Sequence, residues 1–433
     1  MIWNARYECM NREELEALQL ERLRLLLHRL HITLPFYRNK FQEQGVRPDD
    51  IQTLKDIRLL PFTTKDELRQ GYPFGLFTSP LDDILEVHIS SGTTGIPVVG
   101  GYTERDIDVW SEVMARSLSC ASCSSRDTVH NAYGYGLFTG GLGIHYGAHR
   151  IGAKTIPVSG GQSQRQISIM KDFGSTVLTC TPSYALHLAE TLKETGIRAE
   201  ELKLRVGVFG AECWSMAMRD EIEKKLGILA LDIYGLTEII GPGVAQECEY
   251  KEGLHVWEDH FLPEIVDPKT LEPVPEGEEG ELVITTLTRD GIGLLRYRTR
   301  DITSITYHPC KCGRTAARIS KIRGRSDDML IIRGVNIFPS QIESVLMRIE
   351  ETEPHYQLIL ERKQGLDELT VEVEAGADIL FDEIRRLEQV EKRIEQGIED
   401  SIALRVKVRL VEPRTIARST GKAKRLIDKR ELK

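Results

Sequence analysis

No run in this 433-residue chain reaches the roughly 18 consecutive apolar residues of a membrane-spanning helix, so no membrane partner is expected. Cysteine is sparse: the eight present, most of them isolated, do not space out as a disulfide framework. Positive charge is in deficit, and a net charge of −9 argues against a nucleic-acid partner. The opening residues, Met1-Ile-Trp-Asn-Ala-Arg-Tyr-Glu8, hold no apolar core before a cleavage site, so no secretory leader is read there. A cytoplasmic location is expected. Internal repeats and low-complexity tracts are also missing.

What is present is an ordinary globular composition in a chain long enough for two or three domains. Leucines at helical spacing mark an amphipathic helix over 11–31. Short β-branched runs then alternate with helical patterns. Strand-like segments at 151–158, 176–180, 204–209 and 228–234 are separated by helical ones at 162–173, 183–195 and 214–226. That alternation predicts a mainly parallel sheet covered by helices. Residues 255–305 are turn-rich, with strand-like pieces such as 280–286, and predict a β-rich subdomain.

The polar stretch Ile322-Arg-Gly-Arg-Ser-Asp-Asp328 marks a boundary. Beyond it the order is strand (329–333), helix (339–350), strands (356–362 and 368–375), helix (379–400) and strand (405–411), then a basic tail. The predicted fold is therefore α/β: a large N-terminal domain of mainly parallel sheets with helices plus a β-rich subdomain (1–326), and a small α+β C-terminal domain (327–433).

Three constellations carry chemistry. Ser90-Ser-Gly-Thr-Thr-Gly-Ile-Pro97 packs four hydroxyls and two glycines into eight residues after a strand-like run. Glycines let successive N–H groups face one concavity, and small hydroxyls add donors, which suits a polyphosphate. No Gly-Lys-Ser/Thr follows, and Val98 stands where a lysine would, so this is not a Walker loop. Asp232-Ile-Tyr-Gly-Leu-Thr-Glu238 and Gly210-Ala-Glu212 each end a strand, where ligands of open α/β sheets bind. A threonine and a glutamate there supply a hydroxyl for phosphate and an oxygen for Mg²⁺. Arg296-Tyr-Arg-Thr-Arg-Asp301 offers a carboxylate able to accept both hydroxyls of a ribose, or else a strand of self-paired charges.

Cys310-Lys-Cys312, in a turn-like stretch before Gly313, has the look of half a zinc knuckle. Cys248 and His255 complete a Cys₃His set, with His308 as a competing ligand and plain reduced thiols as the alternative. Structural Zn²⁺ is expected there. Cys9, Cys120, Cys123, Cys180 and Cys213 have no such spacing.

Together these segments resemble the adenylate-forming superfamily of acyl-CoA synthetases, and within it the phenylacetate–CoA ligase family. The most specific pieces are Tyr133-Gly-Tyr-Gly-Leu-Phe-Thr-Gly-Gly-Leu-Gly143, Tyr234-Gly-Leu-Thr-Glu-Ile-Ile-Gly-Pro-Gly243 and Gly324-Arg-Ser-Asp-Asp-Met-Leu-Ile-Ile-Arg-Gly-Val-Asn-Ile-Phe-Pro339. The resemblance covers nearly the whole chain. It implies an AMP-forming aryl-CoA ligase: a carboxylate attacks the ATP α-phosphorus, then CoA thiolate displaces AMP.

By that resemblance Ser90, Ser91, Gly92, Thr93, Thr94 and Gly95 hold the β/γ-phosphates. Thr237 meets the α-phosphate and Glu238 binds Mg²⁺. Asp301 holds the ribose, Gly210, Ala211, Glu212 and Tyr234 frame the adenine, and Asp232 and Gly235 belong to the same strand end. Arg325 lies near the ribose and Asp327 is the hinge. Lys422 is the catalytic lysine, with Lys424 a neighbour that does not follow the glycine. Tyr135, Phe138, Gly140, Gly141, Ile240, Gly241 and Pro242 bound the acyl pocket, whose glycines and aromatics suit a flat ring. The rivals are an adenylyltransferase acting on a deazaflavin-type cofactor and a non-catalytic acyl or nucleotide sensor. The expected partners are an aryl acid, ATP and CoA, and a homodimer stays open.

Overall fold

The structure is a computed structural model and describes residues 1–90, 96–327, 329–333, 335–363, 366–376, 379, 384–419, 423 and 425–430. Local sequence punctuates the helices. Thr181 caps the helix Pro182–Thr195 by accepting from the Tyr184 N–H, and the helix stops at Gly196, whose φ is 71°. Ser215 likewise caps Met216–Leu226, which ends at Gly227 with φ 66°. A polar cap at one end and a left-handed glycine at the other satisfy the orphan backbone groups that would otherwise let a helix run on.

These helices cover a nine-stranded sheet. Its strands lie in the order Ile305–Thr306, Arg318–Ile319, Leu254–Val256, Gly241–Glu247, Leu229–Leu236, Val206–Gly210, Val177–Cys180, Thr128–Asn131 and Lys154–Ile156. The last five are mutually parallel, and Gly241–Glu247 folds back antiparallel onto Leu229–Leu236. The strand after Thr128–Asn131 lies on one side of it and the next on the other, so the order reverses there. That reversal opens a crevice beyond the carboxyl ends of the strands.

A second sheet, Phe261–Val266, Gly280–Thr286, Tyr297–Thr303 and Gly324–Arg325, is the β-rich part. It is antiparallel throughout. The leucines of the helix Arg12–Thr33, among them Leu23, Leu26, Leu27 and Leu30, pack against Leu262, Leu287 and Leu295 from this region.

The C-terminal part has its own core, including Ile342, Leu346, Leu358, Val371, Ile394 and Ile398. Its four-stranded sheet is ordered Lys407–Val411, Leu366–Ala375, Thr352–Lys363 and Leu426–Asp428. The last strand lies just beyond the basic stretch and was not expected from sequence: Leu426–Asp428 pairs parallel with Leu358–Leu360. Its flanking Lys and Arg residues mask a run of only three residues, too short for alternation to show. Among the described residues no helix is long and apolar enough to cross a membrane.

Candidate active site

Strand Val206–Gly210 ends hard against Leu229–Leu236: a Cβ on Gly210 would sit 2.2 Å from the Ile233 carbonyl oxygen. Only glycine fits that approach. The next residue, Ala211, holds a positive φ of 71°, which turns the chain so that Glu212 faces inward. Glu212 accepts the Ser183 N–H at 2.7 Å and the Ala423 N–H at 3.1 Å. Burial pushes its carboxyl up, against the pull of Arg425. Gly210–Glu212 therefore meets both the neighbouring strand end and the C-terminal part.

Tyr234 and Asp301 come from different sheets and meet directly. The Tyr234 hydroxyl donates to Asp301 Oδ2 at 2.5 Å. Asp301 is 4% exposed, and burial pushes its carboxyl up to about 6, with Arg325 pulling the other way. Arg325 sits opposite Asp301 across the strand pair and forks onto Asp327 at 2.8 and 2.7 Å. Four of the candidate residues are thus brought together.

Thr237 and Glu238 follow Tyr234 at the same strand end, and both are buried. Lys65 Nζ lies 3.0 Å from Glu238 Oε1, so a buried carboxylate is held beside a cation. Lys65 escaped sequence reasoning because it belongs to a short capped helix, Lys65–Gln70, with nothing to tie it to the distant strand end. The hairpin Glu86–Ile89 and Val99–Tyr102 lies alongside: a Cβ on Gly100 would sit 3.1 Å from the Thr237 carbonyl oxygen. Ser90 closes the hairpin end by accepting the Val98 N–H at 2.9 Å. Ser91, Gly92, Thr93, Thr94, Gly95 and Lys422 lie outside the described residues.

Asp232 is placed in a different neighbourhood. Its N–H donates to Glu247 Oε2 at 3.0 Å, Glu247 pairs with Arg219 at 2.8 Å, and burial raises the Asp232 carboxyl against Lys321 and Arg219. It is part of a buried ion cluster behind the strand end. Gly235 is forced by crowding, since a Cβ there would lie 1.9 Å from the Gly241 carbonyl oxygen.

The two halves of the acyl-pocket set meet through Trp110, which sequence reasoning also missed. Its Nε1 donates to the Pro242 carbonyl at 2.9 Å, and its ring lies where a Cβ on Gly241 or Gly143 would fall, at 2.7 and 2.8 Å. Phe138 fills the space beside Gly140, and the Gly134 carbonyl the space beside Gly141. Asn131 fixes this segment, donating to the Tyr135 hydroxyl at 2.7 Å and the Gly141 carbonyl at 2.8 Å. Ile240 is fully buried behind it.

Cys248, His255, Cys310 and Cys312 also converge, their donor atoms all within 4.8 Å of one another. His308 is exposed and outside this group.

The strand-end crevice, the buried Tyr234–Asp301 pair and the carboxylate of Glu238 define the class: an adenylate-forming enzyme. Comparison agrees. Residues 33–288 match the family model described as AMP-binding enzyme, and 334–430 match AMP-binding enzyme C-terminal domain. Phenylacetate-coenzyme A ligase of Thermus thermophilus is 48% identical over 100% of both chains. That of Escherichia coli is 49% identical over 97% of this chain and 96% of its own. This chain belongs to the phenylacetate–CoA ligase family of AMP-forming acid–thiol ligases.

Among solved structures, 2-hydroxyisobutyryl-CoA ligase in its postadenylation state, with 2-HIB-AMP, is 30% identical with a TM-score of 0.94, covering 100% of this chain and 93% of that one. The same protein with 2-HIB-AMP and CoA in the thioesterification state scores 0.74, at 31% identity over 99% and 93%.

Proposed function

We propose that this chain activates an aryl-acetic acid, phenylacetate in the first instance, with ATP and transfers the acyl group to CoA, releasing AMP and pyrophosphate. One observation carries the reading: the Tyr234–Asp301 pair beside Thr237 and Glu238, in a chain 48% identical end to end to a phenylacetate–CoA ligase.

Carboxylates are poor acyl donors until one oxygen leaves as a phosphate ester, so the protein's task is to align two anions and offset their charge. Asp301 accepts from the ribose hydroxyls, and Thr237 donates to the α-phosphate. Glu238 is a hard oxygen donor with Lys65 Nζ 3.0 Å away, which fits Mg²⁺. When bound there, the ion neutralises phosphate charge. The Ser90–Gly95 loop cradles the departing pyrophosphate. Lys422 sets an ammonium against the acyl carboxylate and α-phosphate; its neighbour Ala423 is anchored on Glu212, at the nucleotide end of the crevice. Tyr135, Phe138 and the Ile240–Pro242 segment receive the ring.

Residues 327–433 rotate about Asp327 between the half-reactions. The higher TM-score against the postadenylation state supports placing this arrangement in the first half. Lys422→Ala tests the assignment: phenylacetate-dependent ATP–pyrophosphate exchange falls by about 10²-fold or more, while thioester formation from pre-formed phenylacetyl-adenylate is largely kept. Equal loss of both halves would contradict it.

A further inference from the structure

The Cys/His cluster shares no residue with the nucleotide and acyl sets described above. Its four donors come from three separate segments. Cys248 follows the strand Gly241–Glu247, His255 is the middle of Leu254–Val256, and Cys310 and Cys312 sit in the turn before Gly313. Gly313 holds a φ of 91° and donates its N–H to the Cys310 carbonyl at 3.0 Å, which brings both sulfurs to one side of the turn.

Two of the donor spacings match the edges of a coordination shell, and all four donors lie within 4.8 Å of one another. Cys248 Sγ and Cys310 Sγ are 3.7 Å apart, and Cys312 Sγ is 3.4 Å from His255 Nε2. A tetrahedral ion with metal–sulfur bonds of about 2.3 Å and a metal–nitrogen bond of about 2.0 Å has S···S edges of about 3.8 Å and S···N edges of about 3.5 Å. A disulfide would need the sulfurs at about 2.05 Å, and all these cysteines are free. Three soft sulfurs and an imidazole select zinc over magnesium or calcium. Four protein ligands leave no open position, so such a site is structural.

We propose that Cys248, His255, Cys310 and Cys312 bind one zinc ion, and that this site clamps the amino-terminal segment, residues 1–10, to the edge of the large sheet. Arg314 makes the connection. Its Nη1 points at Cys312 Sγ at 3.5 Å, its Nε donates to Glu8 Oε2 at 2.7 Å, and its Nη2 donates to the Met1 carbonyl at 2.5 Å. Both partners of the Arg314–Glu8 pair are buried. Glu8 in turn accepts the Trp3 and Asn4 N–H groups at 2.8 and 2.6 Å, and Thr315 holds the Glu8 and Met10 carbonyls. Three thiolates around a divalent ion leave one net negative charge, against which Arg314 places its guanidinium. The metal fixes the turn, the turn aims Arg314, and Arg314 holds the amino-terminal segment.

The test uses the full chain purified without added zinc. Elemental analysis is expected to find about one zinc per chain. Cys310→Ser with Cys312→Ser is expected to abolish it and to raise amide exchange in residues 1–10. Glu8→Gln is expected to keep the metal and loosen the same residues. Less than about half an equivalent in the parent protein, or full zinc in the double variant, overturns the site. Equal protection of residues 1–10 with and without zinc overturns the clamp. Should the double variant fail to fold, cobalt(II) exchanged into the parent protein decides the matter: a thiolate-to-cobalt charge-transfer band supports the site and its absence overturns it.

Discussion

At the scale of single residues, Asp301 carries the most measurable consequence. It is buried, its carboxyl is pushed up to about 6, and it already accepts from Tyr234. In the proposed role, only the ionised form would accept from two ribose hydroxyls. As pH falls through about 6 the group protonates, so the KM for ATP is expected to rise below that pH and to level off above it. For stability the sign is opposite. A carboxyl raised by burial disfavours its charged form in the fold, so its destabilising contribution is present above about pH 6 and is relieved as pH falls through it. Asp301→Asn is expected to weaken ATP by about 10- to 100-fold, the worth of hydrogen bonds to a charged acceptor, and to flatten the pH profile. ATP–pyrophosphate exchange measured across the acid range checks both. Asp301, Tyr234 and Glu238 were legible because they stand in recognisable segments. Lys65 and Trp110 were not: each acts through a contact far off in sequence, and neither type at its own position signals one.

At the scale of elements, the glycines at the strand ends are dictated by backbone approach. Gly235 is the sharpest case, with a would-be Cβ 1.9 Å from the Gly241 carbonyl oxygen, an atom that cannot swing aside. Gly235→Ala is expected to cost about 3 kcal/mol of stability as overpacking between paired strands. Gly134→Ala meets nothing within 4 Å and serves as the control, expected to stay within about 0.5 kcal/mol. Denaturant midpoints of the two variants provide the comparison. The same elements show why the fold was readable. Each crossover helix from 163 to 226 is amphipathic and lies between β-branched runs, and two of the three carry polar caps and glycine stops. Leu426–Asp428 carried none of these marks, and its strand character comes from a sheet edge already waiting for it.

At the scale of the whole molecule, the C-terminal part is held to the large one by a small set of buried and half-buried polar groups. Glu343 accepts the Ser215 N–H at 2.9 Å and the Tyr356 hydroxyl at 3.1 Å, and pairs with Arg425 at 3.2 Å. Arg425 also reaches Ser183 Oγ at 3.2 Å, and His355 and Arg418 both engage Glu190. On the proposed function, these contacts favour the adenylating arrangement. The Glu343 contact that crosses between the two parts is the Ser215 N–H, and a hydrogen bond to a charged acceptor is worth about 1.5–3 kcal/mol. Glu343→Gln is therefore expected to slow adenylation by about tenfold or more while leaving thioester formation from pre-formed adenylate nearly unchanged. None of this interface was legible in sequence, because Glu343 and Arg425 lie in ordinary amphipathic and basic stretches of the C-terminal part and meet Ser215 and Ser183 only when the two parts come together. The most direct test of the central claim is AMP release by the full chain with ATP, CoA and a series of acids. Phenylacetate and close aryl-acetic acids are expected to turn over fastest, with one AMP and one thioester formed per acid and no sustained release without CoA. Turnover of fatty acids alone, or AMP release indifferent to CoA, would contradict it.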